Sequence, residues 1–263
     1  MHTVQHFCQF LESFAPRRLA EDWDNVGLLI GDRQRQVERA MTCLTITPES
    51  VEEAIEKQAQ LIVTHHPLPF RPLKRITADN VTGKMMLQLI EHQIAVYSPH
   101  TSFDSASSGI NQRLAVGLGI IDPTPIEPIE GDPDSLGSGR YGKLADPIPL
   151  PDFVQQVKTF LKLDGLHVAG KSTQVVSKVA VACGSAGQFL GPAARVGCDC
   201  LVTGETNFHT CLEAKATEVG LVLAGHYASE RFALECLADL IGEEFPNTTV
   251  WPSVKECDPL RWV

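Results

Sequence analysis

The chain has 263 residues, 43% of them hydrophobic and 21% charged, which is enough apolar material for a sizeable core and enough length for two α/β lobes. No window approaches the ~18 uninterrupted apolar residues of a membrane span, and Met1–His6 lacks the basic-then-apolar pattern of a secretory signal. The net charge of −10 opposes broad nucleic-acid binding, which would need a strong local basic patch or bound cations.

Phe7, Phe10 and Phe14 share one helical face and predict a core or subunit contact. Met41–Ile46 is apolar and β-rich. Pro48 then opens a helix with Glu49, Glu52 and Glu53 in its first turns, where the helix dipole favours acids. Leu61–Thr64 predicts a short buried strand, Val81–His92 a helix, Ile94–Tyr97 a strand and Ile110–Val116 a short helix. From Asp122 to Pro151 prolines and glycines crowd together, so this stretch reads as a crossover or lobe boundary rather than a regular element. The alternation then resumes. Helices are expected at Phe153–Leu163, Gln188–Val196, Phe208–Val219 and Ala228–Ile241, with strands at Lys178–Cys183, Leu201–Thr203 and Leu221–Ala224.

This pattern predicts two related α/β lobes with mainly parallel or mixed sheets flanked by helices. The lobes are expected at 1–125, with 225–263 packing back onto it, and at 126–263. The eight cysteines are scattered with no CxxC pair, which excludes zinc-ribbon and thioredoxin readings and suits a cytoplasmic protein.

Ligands in such folds collect beyond the carboxyl ends of strands. Three segments place ionisable residues there: Leu61–Pro67 with His65 and His66, Val96–Asp104 with His100 and Asp104, and Leu221–Glu230 with His226 and Glu230. His226 and Glu230 are four apart, so one helical turn can offer an imidazole and a carboxylate to the same ion. Neighbouring side chains of an extended segment diverge, so His65 and His66 would more easily serve two ions than one. Taken singly, each residue reads as a cap or a hydrogen-bonding group. Taken together, they describe a dinuclear site of imidazoles and carboxylates, suited to Zn, Mn, Fe or Ni.

Six segments in order carry a resemblance: Asp22–Leu28, Thr64–Pro67, His100–Asp104, Gly137–Gly142, Thr203–Glu205 and Gly225–Glu230. Together they resemble the Nif-three-like family, the GTP cyclohydrolase 1 type 2 homologues, in its short form without an inserted domain. The resemblance implies two divalent metal ions per subunit in a cleft between the lobes, and a toroidal homohexamer. It places the metal ligands on His65, His66, Asp104, His226 and Glu230, with His100 behind them. Ser102 and Phe103 depart from the family's usual second motif without touching a ligand.

Around this set, alternatives stay open. Asp24 and Asn25 stand behind a ligand or face substrate, or they form a turn with Gly27, and the turn is favoured. Glu205 orients a histidine or acts as a general base, and Glu205 or His100 could shuttle protons in catalysis. The loop Gly184–Gly187 is a weak match to an anion-binding loop. Arg71, Lys74 and Arg75 form a solvated loop or a phosphate clamp.

The expected activity is hydrolysis of a small anionic, nucleotide-like substrate by the metal pair. The alternative is a hexameric metal-binding scaffold or regulatory protein without turnover.

Overall fold

The structure, a computed structural model, describes residues 2–261, so the expected lobe ends at Met1 and at Trp262–Val263 lie outside the described residues. The chain forms two compact units. One comprises Met1–Phe103 and Ala233–Pro259, and the other Asp104–Phe232 with Leu260–Val263. The chain passes from one unit to the other within two helices, His100–Ser105 and His226–Glu244.

The first unit is built on a five-stranded sheet in the order Thr249–Pro252, Arg39–Cys43, Leu61–Thr64, Ala95–Ser98 and Gly27–Ile30. The first four strands are parallel and the last is antiparallel. Leu61–Thr64 and Ala95–Ser98 are buried at every position, as continuous apolar runs in parallel sheets must be. The helices Pro48–Glu56 and Val81–Glu91 place Val51, Ala54, Met85, Met86 and Leu89 in one core with Met41, Ile62 and Val96. Each Val, Ile, Leu or Met among them contributes about 2 kcal/mol by leaving water. Thr47 and Ser50 close a capping box on the first of these helices, and Asn80 caps the second through the Gly83 N–H. The helix Val4–Phe14 buries Phe7 in a stack with Phe245 at 4.0 Å, so Phe7 belongs to the core of this unit, while Phe10 and Phe14 are half-buried.

The second unit holds a six-stranded sheet in the order His167–Ala169, Gly220–Leu223, Cys200–Thr203, Val175–Ala182, Arg140–Pro149 and Ile121–Thr124. The strands starting at Gly220, Cys200 and Val175 are parallel to one another, and the flanking strands are antiparallel. Alternate side chains of Val175–Ala182 face opposite layers, as the strand period requires. Val179 and Val181 meet Phe153, Val157 and Leu114, whereas Ala180 and Ala182 meet Phe189, Leu190 and Ala214. Both units are therefore mixed α/β, with helices flanking the sheets.

Two local expectations change. The proline- and glycine-rich stretch contains regular structure, including the ten-residue strand Arg140–Pro149, whose pairing with Val175–Ala182 shifts register between Lys143 and Ile148. That irregularity accommodates the Pro147–Pro149 segment. The next helix begins at Leu150, ahead of Phe153, because Pro151 sits in its first turn, where a missing N–H costs nothing. Among the described residues no helix is long and apolar enough to cross a membrane.

Candidate metal centre

In the first unit the parallel strands deliver their chemistry at their carboxyl ends. Leu61–Thr64 runs directly into His65 and His66, and Ala95–Ser98 runs through Pro99 into His100. His65, His66 and His100 each offer a ring nitrogen within 4.8 Å of the other two. The rings of His65 and His66 are 5.0 Å apart, and so are those of His65 and His100. The two neighbouring histidines therefore converge rather than diverge. The strand ends at Thr64 and the chain bends over the pair, so strand alternation does not apply to them.

Each of these histidines is held from behind. The Ser98 hydroxyl donates to the His65 carbonyl at 2.6 Å, and Thr45 Oγ1 lies 2.6 Å from His66 Nδ1. Asp24 Oδ1 lies 2.7 Å from His100 Nδ1. An ionised carboxylate only accepts, so Nδ1 carries the proton and His100 presents the lone pair of Nε2. The other oxygen of Asp24 accepts from the Thr101 N–H at 3.1 Å and its hydroxyl at 2.5 Å. Burial works to raise the Asp24 pKa, but the hydrogen bonds from His100 and Thr101 outweigh it and lower it to about 2. Asp24 thus stands directly behind His100, and its own N–H donates to the Glu21 carbonyl in a turn.

The second unit repeats this arrangement with other residues. The parallel strands ending at Ala182, Thr203 and Leu223 lead into Cys183-Gly184, Gly204-Glu205 and Gly225-His226. His226 opens its helix, and its Nε2 lies 3.2 Å from Glu230 Oε2 one turn on. Its Nδ1 lies 2.9 Å from Glu205 Oε1. Hydrogen bonding to Glu230, opposed by burial and helped by the Glu230 charge and by Glu205, raises the His226 pKa from 6.5 to about 9. Two carboxylates thus draw positive charge to this ring. Glu230 is buried and Glu205 is exposed.

Asp104 lies in this unit and accepts from the Cys183 thiol at 3.2 Å. Burial first, and then the charges of Asp104 and Glu230, push the Cys183 thiol well above its ordinary range. The thiol therefore stays protonated and serves as a donor. The Asn111 amide donates to the Asp104 carbonyl, and its oxygen accepts from the Cys183 N–H. Buried Arg140 donates to the carbonyls of Ser105 and Ala106 just beyond Asp104, and to those of Gly137 and Gly139. The Gly137–Gly142 segment thereby fixes the end of the helix that carries Asp104.

Gly184 shows how closely this end is shaped. Its φ is +68°, and a Cβ there would stand 2.3 Å from Glu230 Oε1 and 3.5 Å from His226 Nε2. Only glycine leaves that space open beside the two donors. Clustered imidazoles in one unit, with imidazole and carboxylates in the other, fit borderline divalent ions and not a thiolate-only metal.

These features define a class: a mixed α/β protein that gathers histidines and carboxylates at the carboxyl ends of its parallel strands. The chain belongs to the Duf34/NIF3 (NGG1p interacting factor 3) family, whose model matches residues 2–259. It is 35% identical to a GTP cyclohydrolase 1 type 2 homolog of Clostridium acetobutylicum, over 86% of this chain and 85% of that protein. It is also 35% identical to NIF3-like protein 1 of Drosophila melanogaster, over 95% of this chain and 86% of that one. Among solved structures, a Bacillus cereus protein related to NIF3 superposes with a TM-score of 0.91 at 23% identity, covering 99% of both chains. A hypothetical protein of Staphylococcus aureus does so with a TM-score of 0.90 at 28% identity, again over 99% of both.

Proposed function

We propose that this chain is a dinuclear-metal hydrolase of a small anionic, nucleotide-like compound. His65, His66, Asp104, His226 and Glu230 hold two divalent ions, drawn from Zn, Mn, Fe or Ni. The observation that carries this reading is the cluster of His65, His66 and His100, three imidazoles within 4.8 Å of one another at the carboxyl ends of parallel strands. The names of the curated relatives agree with a cyclohydrolase-type reaction on a nucleotide.

When bound, the ions supply Lewis acidity and lower the pKa of water. The chain's own residues supply the rest. Glu205 orients the His226 ring through Nδ1, and Asp24 orients that of His100. Exposed Glu205 and the imidazole of His100 carry protons to and from the substrate. A pair of divalent ions held by only two carboxylates leaves a positive residue of charge, which an anionic substrate neutralises. The assembly is a toroidal homohexamer acting in the cytoplasm.

The test is elemental analysis of the protein purified without a histidine tag, followed by turnover of a phosphoester and nucleotide panel by the metal-loaded chain and by Glu230→Gln. Two equivalents of metal with turnover lost in Glu230→Gln support the proposal. Metal uptake without turnover on any class leaves the hexameric scaffold instead.

A further inference from the structure

Two large aromatic side chains of the first unit stand in solvent beside His100. Trp23 is 65% exposed and Phe70 is 54% exposed. Their rings lie 6.3 Å apart, and each lies 5.9 Å from the His100 ring, edge to face. Single exposed apolar residues are ordinary on protein surfaces. This pair differs in how firmly it is mounted. Asp24, next to Trp23, receives the His100 ring, the Thr101 N–H and hydroxyl, and the Asn25 N–H. The Glu21 N–H donates to Thr101 Oγ1, and the Asn25 amide reaches the Pro69 carbonyl beside Phe70. Both loops are thus tied to the start of the His100–Ser105 helix, and the ordering that a stacking surface requires is already met by the fold.

We infer that Trp23 and Phe70 form a stacking subsite for the planar heteroaromatic ring of an anionic substrate, which sets the ring beside the imidazole cluster. Flat rings stack on aromatic faces with little regard to their substituents, so the pair selects for planarity rather than for a particular base. The segment that carries Phe70 continues with exposed Arg71, Lys74 and Arg75, which supply cationic charge for the anionic end. This inference rests on the proposed metal site only for where the reacting group lies, since the aromatic pair binds the ring with or without an ion.

The experiment uses the full chain, saturated with Mn²⁺ or free of metal, and titrates it calorimetrically with adenosine 5′-monophosphate and with ribose 5-phosphate. These probes share the anionic end and differ in the ring. The wild type and Trp23→Phe are expected to prefer the ring-bearing probe by about tenfold, and Trp23→Ala to bind both alike. Equal binding in the wild type, no binding of either probe, or a preference that survives in Trp23→Ala would overturn the inference. So would a Trp23→Ala protein whose assembled mass changes while its preference does not, since the aromatics would then be a subunit contact. A protein that takes up no Mn²⁺ yet keeps a Trp23-dependent preference refutes the metal site and leaves the stacking subsite standing.

Discussion

Asp24 and His100 are joined by a 2.7 Å hydrogen bond between a carboxylate and Nδ1, although the two residues come from distant parts of the chain. The same relationship recurs in the other unit between Glu205 and His226 at 2.9 Å. In each case a carboxylate holds Nδ1 and with it the orientation of the ring. The two differ in exposure. Asp24 is closed in by Thr101, whereas Glu205 faces solvent, where protons can exchange.

Replacing Asp24 by Ala removes the acceptor from the buried His100 ring and the Thr101 N–H. The expected loss is about 2 kcal/mol of folding stability, read as a lower midpoint in urea. Asp24→Asn keeps one acceptor and should lose less. Equal stability of Asp24→Ala and the wild type would show that these bonds are not formed in solution.

If the imidazoles and carboxylates hold metal, saturating divalent ion stabilises the folded chain. At a concentration of about 1,000 Kd the gain is about 4 kcal/mol. Thermal melts with and without Mn²⁺ measure it, and His226→Ala or Glu230→Gln should shrink it. The rings must be neutral to ligate, and His226 holds its proton up to about pH 9, so metal affinity should fall steadily as the pH drops below that value. Full occupancy at pH 5 by elemental analysis would contradict histidine ligation.

Gly184→Ala tests the shape of the second unit's donor group. The positive φ alone costs about 1 kcal/mol, and the new methyl collides with Glu230 Oε1. Metal affinity should drop by at least about tenfold, beyond what the stability loss accounts for. A variant that is less stable yet binds metal normally would separate Gly184 from the site.

Glu53 gives the acid dependence of the first unit. Its buried carboxylate accepts from Lys57 Nζ, Trp251 Nε1, the Ser253 hydroxyl and the N–H groups of Val254 and Lys255. Burial opposes ionisation, but these donors outweigh it and lower the pKa from 4.5 to about 2. A depressed pKa stabilises the fold above the unfolded value, and the stability is lost as pH falls from about 4.5 through about 2. The contribution is about 3 kcal/mol. Urea titrations at pH 6 and pH 3 should show the gap between wild type and Glu53→Gln narrowing at the lower pH, and a constant gap sinks the assignment.

The candidate ligands were legible because they follow apolar, β-rich runs, and the carboxyl ends of parallel strands are where such folds present chemistry. His65, His66, His226 and Glu230 needed only that rule. What holds them was not legible. Cys183 read as the end of a strand, and nothing local links it to Asp104. Arg140 lay in a stretch whose prolines and glycines suggested irregular chain, although its strand is the longest in its sheet. Thr249–Pro252 escaped notice because it is an edge strand, partly exposed and ending in proline. Asp24 reads locally as a turn residue, and only the folded chain shows that it also holds His100.

The division of the chain has a consequence for biosynthesis. The first unit's sheet takes its edge strand from Thr249–Pro252, and Glu53 finds Ser253, Val254 and Lys255 there. A nascent chain released from the ribosome in order exposes Asp104–Phe232 of the second unit before those residues exist. The unit that begins first must therefore finish last, and premature stop mutations near the C-terminus would strand a buried carboxylate without its donors while sparing the sheet made in between.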